Sequence, residues 1–323
     1  MWNERPTYKK NLKEGIQITP HHVDNPKVFE FIDFIVHLPR DNWIDTFKDS
    51  VDLKEKLNLR LKESLWEKTL LPPHLTNITP PEPNFVGRQE ILNNITEWYK
   101  KPDVHIGALI GWGGEGKSAI VRKWYDNLEA NDIKPDGTFW WGFYRNPYLD
   151  RFLDSLLYYL AQGRINLNEI KSTWAKVDKI NEFIHEAEYL IILDGIEEMQ
   201  KGDEGGAEFG CMIHRELTEI LTNLADSKAK GLCLITTRYP LTDIKNWEDL
   251  SYQSEEVEPL SIGEGRVLFE KLGVKGIRDE RNKVIEVIEE YKRHALSLTL
   301  LAEYLFEDFK GDITKAKEIP PFY

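Results

Sequence analysis

Residues 110–119 read IGWGGEGKSA, four glycines in ten positions with a lysine and a serine directly after the last of them. Glycine loses more backbone freedom on ordering than any other residue, so a cluster this dense does not belong inside a helix or strand. It marks a turn in which the backbone itself faces something. Its flanks set the wider architecture. The run VHIGALI before it is apolar and of strand length, and KSAIVRKW after it places Ile120, Val121 and Trp124 on one helical face.

The same alternation continues along the chain. EILNNITEWYKK (90–101) is predicted helical, GTFWWGFY (137–144) strand-like, LDRFLDSLLYYLAQ (149–162) helical and EYLIILDG (188–195) an apolar strand. HRELTEILTNLAD (214–226) is then helical and GLCLITTR (231–238) another apolar strand. Strands that are apolar on both faces and separated by helices predict an α/β fold, a parallel sheet covered by helices on both sides. From Ser261 onward only helices are expected, the first opened by Ser261 and Glu264 in capping-box spacing. Five prolines between Leu70 and Phe85 mark a stiff, extended connector. The expected division is an N-terminal extension or effector remnant (1–70), a Pro-rich linker (71–84), a nucleotide-binding domain (85–258) and a small all-helical domain (259–323). Within the extension, Leu53, Leu57, Leu61 and Leu65 predict a helix with one apolar stripe.

Gly111, Gly116, Lys117 and Ser118 satisfy G-x-x-x-x-G-K-[ST], the P-loop, between a strand and a helix as that motif requires. Gly113, Gly114, Glu115 and Ala119 complete the stretch. Backbone N–H groups of such a loop turn toward phosphates, and the helix N-terminus adds partial positive charge at the same point. Lys117 is the cation for the β/γ-phosphates, and Ser118 a ligand for Mg²⁺. Asp194, at the carboxyl end of its apolar strand, is the second candidate metal residue. Glu197 is the candidate general base, with Glu198 its rival. Arg238, at the end of a further strand, is placed to reach a γ-phosphate, because ligands of such sheets sit at the carboxyl ends of strands. No Asn-Lys-x-Asp tetrad follows Asp194, which favours adenine over guanine.

A formal charge of −13 argues against nucleic acid or an anionic membrane as the main partner. Cys211 and Cys233 give neither a disulfide framework nor a zinc pattern, and His105 and His294 lack ligand spacing. The N-terminal MWNERPTYKKNLKEG lacks the apolar centre of a signal peptide, so a cytoplasmic protein is expected. The glycosylation-type triplets at Asn77 and Asn94 are then chance matches.

Taken together, the motifs resemble those of the signal-transducing STAND NTPases, close to the NB-ARC and NACHT groups of the AAA+ class, over about Asn84 to Phe309. FVGRQEIL is similar to the family's opening motif, so the resemblance implies that Phe85, Val86 and Arg88 frame the adenine. GWGGEGKSA, LIILDGIEEMQ and LCLITTRYPL are similar to its phosphate loop, acidic strand and arginine strand. VEPLS with HALSLTLLAEYL resembles its small helical domain. The resemblance implies ATP and ADP as ligands, slow Mg²⁺-dependent hydrolysis, and a switch to a homo-oligomerising ATP form. It also implies effector and sensor domains or partners, in a prokaryotic defence or signalling protein. Two departures stand out. The family's Gly-x-Pro is Arg293-His294-Ala295 here, so Pro259 is the candidate to pack on the nucleotide, and the family's winged helix is not expected within the stretch up to Tyr323. The segment before the connector is similar to the end of a TIR-type domain. A turnover motor and a non-hydrolysing, nucleotide-locked scaffold are the alternative readings.

Overall fold

The computed structural model describes residues 71–319 apart from 204 and 227–229. The leucine-striped helix and the TIR-like segment expected before residue 70 lie outside the described residues. Among those described, no helix is long and apolar enough to cross a membrane.

Six strands form one sheet: β1 (His74–Thr76), β2 (Ile106–Ile110), β3 (Gly137–Gly142), β4 (Tyr189–Asp194), β5 (Leu232–Thr237) and β6 (Tyr252–Glu256). Their spatial order is β1-β3-β4-β5-β2-β6, and every neighbouring pair is parallel. The expected α/β sheet is therefore present. Side chains alternate between two cores. Ile191 and Leu193 of β4 and Cys233 and Ile235 of β5 point into one, while Leu190, Ile192, Leu232 and Leu234 point into the other. That is why these strands are apolar at every position rather than at every second one.

Helices α1 (Gln89–Lys100) and α2 (Lys117–Asp126) cover one face, with Ile95, Trp98, Ile120 and Trp124 buried there. Trp124 Nε1 donates to Thr96 Oγ1 at 3.0 Å, so the indole nitrogen is satisfied inside the contact. Helices α3 (Leu149–Ala161), α4 (Thr173–Phe183) and α5 (Arg215–Asp226) cover the other face. Three more, α6 (Ile262–Lys271), α7 (Arg281–Glu290) and α8 (Ala295–Phe309), enclose a third core of their own, built on Leu268, Phe269, Val284 and Leu301. The predicted capping box is present: Ser261 Oγ accepts from Glu264 N at 3.1 Å, and the Glu264 carboxylate accepts from Ser261 N at 2.7 Å.

Two strands were not predicted. The extended Pro-rich segment contributes β1, which pairs His74–Thr76 with Phe139–Trp141. The polar YQSEE forms β6 and closes the opposite edge beside β2. Register then levels the ends that matter: Ile110 stands beside Thr237, and Gly142 beside Asp194.

Candidate functional site

The glycine-rich loop leaves β2 at Ile110 and enters α2 at Lys117. Gly116 caps the helix at φ +92°, where a side chain is strained, and a Cβ there would meet nothing within 4 Å. The loop thus encloses an open hollow. Gly114, at φ +84°, leaves no room for a side chain, since a Cβ would lie 2.6 Å from the His294 ring. Lys117 is buried, and its Nζ donates to the carbonyls of Gly111 at 2.6 Å and Trp112 at 2.9 Å. Burial pushes its pKa below the ordinary lysine value, while Glu197 and Asp194 oppose that shift. A buried ammonium held by neutral carbonyls, beside helical N–H groups that have no acceptor within their own helix, fits a polyphosphate.

Asp194 ends β4 and is almost fully buried. Its Oδ1 accepts from Ser118 Oγ and Thr236 Oγ1, both at 2.6 Å, and its Oδ2 from Thr79 Oγ1 at 3.0 Å. Two hard oxygen donors, the Ser118 hydroxyl and the Asp194 carboxylate, are thereby adjacent, a donor set that fits Mg²⁺ completed by phosphate oxygens and water. Among the described residues no group of three or more His, Cys, Asp or Glu side chains forms a protein-only metal cage.

Past Asp194 the chain turns at Gly195 into a short 3₁₀ segment, Ile196–Met199. This turn buries Glu197 and leaves Glu198 exposed. Glu197 Oε1 accepts from Tyr144 Oη at 2.5 Å and pairs with Arg238 Nε at 2.9 Å. Its second oxygen is buried without a partner. Burial and the bond to Glu197 push the Tyr144 hydroxyl well above its usual range. For Arg238 burial acts downward, but Glu197 and Tyr144 outweigh it and hold the guanidinium above its ordinary value. A Cβ on Gly113 would lie 3.1 Å from Arg238 Cζ, so the guanidinium lies over the phosphate loop.

Beside the loop lies a cavity of about 300 Å³. Phe85, Val86, Arg88 and the run Gly114, Glu115, Gly116, Lys117, Ser118, Ala119 line it, with Tyr144 from the end of β3. The helical segment contributes Leu260, Leu268, Ala295, Leu296 and Thr299. Pro259 does not line it; the neighbouring Leu260 does. Gly111 and Gly113 stay in the loop outside its lining. The Arg88 guanidinium donates to the carbonyls of Glu258 at 2.5 Å and Glu115 at 3.2 Å. Sequence reasoning missed Thr79 and Tyr144. Thr79 reaches Asp194 from the connector, and Tyr144 reaches Glu197 from just past β3; neither carries a motif.

A parallel sheet whose glycine loop joins strand to helix, with the first-turn Ser118 of that helix bonded to Asp194 at the end of another strand, defines a P-loop NTPase. The domain can be specified further. The NB-ARC domain profile matches residues 88–278, well over half of the chain, and the chain belongs to that family, one of the STAND P-loop NTPases. An uncharacterized WD repeat-containing protein of Nostoc sp. is 24% identical over 244 residues, 73% of this chain and 19% of that protein. Histidine protein kinase 1 of Candida albicans is 28% identical over 150 residues, 43% of this chain and 6% of that protein. The chain thus spans less than a fifth of the length of these relatives. Among solved structures it is similar to a STAND protein with a tetratricopeptide repeat sensor from Pyrococcus horikoshii. That likeness has a TM-score of 0.45 and 23% identity over 70% of this chain and 31% of the other. The Aeropyrum pernix ORC2 protein in ADPNP–ADP complexes gives 0.48 and 13%, covering 74% and 70% of the two chains.

Proposed function

We propose that this chain is an ATP/ADP switch with slow Mg²⁺-dependent ATP hydrolysis. It drives homo-oligomerisation in its ATP form within a cytoplasmic, prokaryotic NLR-like defence or signalling protein. The observation that carries this reading is the Arg238–Glu197 pair above the phosphate loop. A γ-phosphate in the loop is the natural competitor for that guanidinium, since it is a stronger anion than one shared carboxylate oxygen. ATP therefore draws Arg238 away from Glu197 and leaves the carboxylate oriented by Tyr144, with its buried second oxygen lacking a protein partner and so able to accept from a water. ADP offers no such competitor, and the pair persists. The two nucleotides thus select two arrangements of the same residues, which is what a switch requires.

Lys117 and the loop N–H groups hold the phosphates, and Ser118 and Asp194 hold Mg²⁺, which when bound neutralises charge on the phosphate oxygens. Glu197 takes the proton from the attacking water. Phe85, Val86, Leu260 and Ala295 give the base an apolar seat in the cavity. The test is analysis of nucleotide retained through purification, alongside steady-state turnover. Retained ADP with slow turnover supports the switch. Fast unaided turnover would replace it with a motor, and retained ATP with no turnover with a locked scaffold.

A further inference from the structure

The start of α8 is fastened to the phosphate loop at three consecutive residues. His294, the N-cap of α8, sets its Nε2 at 2.8 Å from the Gly113 carbonyl, and because that oxygen only accepts, Nε2 carries the proton. Its Nδ1 is then the acceptor for Ser297 N–H at 3.3 Å and faces Ser297 Oγ at 2.8 Å. Leu296 N–H donates to the Gly114 carbonyl at 3.1 Å. Ala295 N–H donates to the Glu115 carboxylate. The first-turn N–H groups of a helix have no partners within it. Here the glycine loop and the capping imidazole take all three.

Glu115 is the unusual member. It is 3% exposed, one of its carboxylate oxygens is buried without a partner, and the other lies 3.9 Å from His294 Nε2. The charged groups facing it are His294 from the cap of α8, Lys117 from the loop and Arg88 from the start of α1. Arg88 is itself shared, with its own backbone N–H on Glu264 at 3.1 Å and its guanidinium near Glu258 and Glu264. Burial pushes the Glu115 carboxyl above its usual range, and those three cationic or potentially cationic groups offset the shift incompletely.

We propose that Glu115 and His294 are positioning residues that latch α8 to the phosphate loop, and that a polyphosphate entering the loop drives uptake of a proton by Glu115. The inference rests on the reading of the loop as a nucleotide site and deepens it. Phosphate anions add negative charge beside a buried carboxylate that already lacks a partner for one oxygen, and a proton taken up by Glu115 relieves the repulsion. A neutral Glu115 also holds the Ala295 N–H at the start of α8 less strongly. Binding therefore reports to the helical segment through the loop backbone.

Calorimetry of ADP binding to the full chain, in two buffers of different ionisation enthalpy, counts the protons taken up. Comparison with Glu115→Gln cancels the titration of the nucleotide itself. The unaltered chain should take up more protons than Glu115→Gln, and its affinity should fall more steeply than that variant's as pH rises through the raised range of the Glu115 carboxyl. Release of fluorescently labelled ADP should quicken up to roughly tenfold in His294→Ala, the scale of one lost hydrogen bond, and return toward normal in His294→Gln, which keeps a donor for Gly113. Equal proton uptake in the unaltered chain and Glu115→Gln, or unchanged release from His294→Ala, would overturn the latch. Failure of the unaltered chain to bind ADP at all would overturn the nucleotide reading, an outcome separable from the first two.

Discussion

Replacing Arg238 by alanine separates ATP from ADP by an amount the geometry allows to be worked out. A hydrogen bond to a charged group contributes about 1.5–3 kcal/mol. To give one to a γ-phosphate, the guanidinium must leave Glu197, to which it is paired at 2.9 Å. Arg238 is 45% exposed in that pair, so solvent screening limits the pair to at most ~1 kcal/mol. The net preference for ATP supplied by Arg238 is therefore about 0.5–2 kcal/mol, which is roughly two- to thirtyfold in affinity. ADP leaves the pair undisturbed, so its affinity should be nearly unchanged in Arg238→Ala. Displacement of labelled ADP by unlabelled ADP and by a non-hydrolysable ATP analogue measures both affinities in one assay. Arg238→Lys keeps the charge but loses the Nε donor and should fall between the two. An equal loss for ADP and the ATP analogue would refute the reasoning and make Arg238 a contact to the phosphates common to both.

Lys117→Ala should abolish nucleotide binding with the far-UV circular dichroism intact, because Nζ is anchored by two loop carbonyls rather than by the sheet; full ATP affinity would end the phosphate-loop assignment. Glu197→Gln should keep ATP affinity while single-turnover hydrolysis falls by roughly 10²–10⁴, the usual contribution of a general base, and Glu198→Gln, on the exposed side of the turn, should leave it unchanged. The reverse pattern would move the base to Glu198. Tyr144→Phe keeps the ring but removes a 2.5 Å donor from a buried carboxylate, and chemical denaturation should show a loss of about 1–2 kcal/mol, whereas an unchanged midpoint would mean that water replaces the hydroxyl.

What could be read from the sequence divides along the range of the interactions involved. The phosphate loop and β4 are local statements: glycines that only a turn uses, and an apolar run that ends on an acid. β4 indeed ends at Asp194, and β5 carries Arg238 just past its end. The apolar strands announced a sheet buried on both faces because each must feed two cores at once. The edges did not announce themselves. β6 is YQSEE, with a single fully buried residue, Tyr252, since an edge strand needs backbone pairing more than apolar side chains. β1 sits in a proline-rich stretch, where prolines are tolerated because only one side of the strand is paired. Thr79 and Tyr144 depend on those pairings. The first is carried to Asp194 by β1 lying against β3, the second to Glu197 by β3 lying level with β4. Helix α4 was also overlooked, its TWAKVDKINEF burying only Val177, Ile180 and Phe183.

The charges of the site carry the argument one step further. Lys117, Arg88 and Arg238 stand against Asp194, Glu197 and Glu115, three cations to three carboxylates, in a chain whose formal charge is −13. Such a site has no surplus positive field with which to attract a polyphosphate, in contrast to a basic groove that binds by net charge. What remains for the purpose is oriented: the N–H groups of a glycine loop, the amino end of α2, and an ammonium whose nearest acceptors are carbonyls. Oriented dipoles act only at contact distance, so recognition depends on shape and on the placement of each phosphate more than on attraction from afar. That dependence makes the surrounding contacts consequential. A rotation of Arg238 off Glu197, or of α8 off the Gly113 and Gly114 carbonyls, would alter the few groups that the proposed site offers an anion. The same near-neutrality that denies the site a long-range field leaves its affinity open to control by small movements in the residues around it.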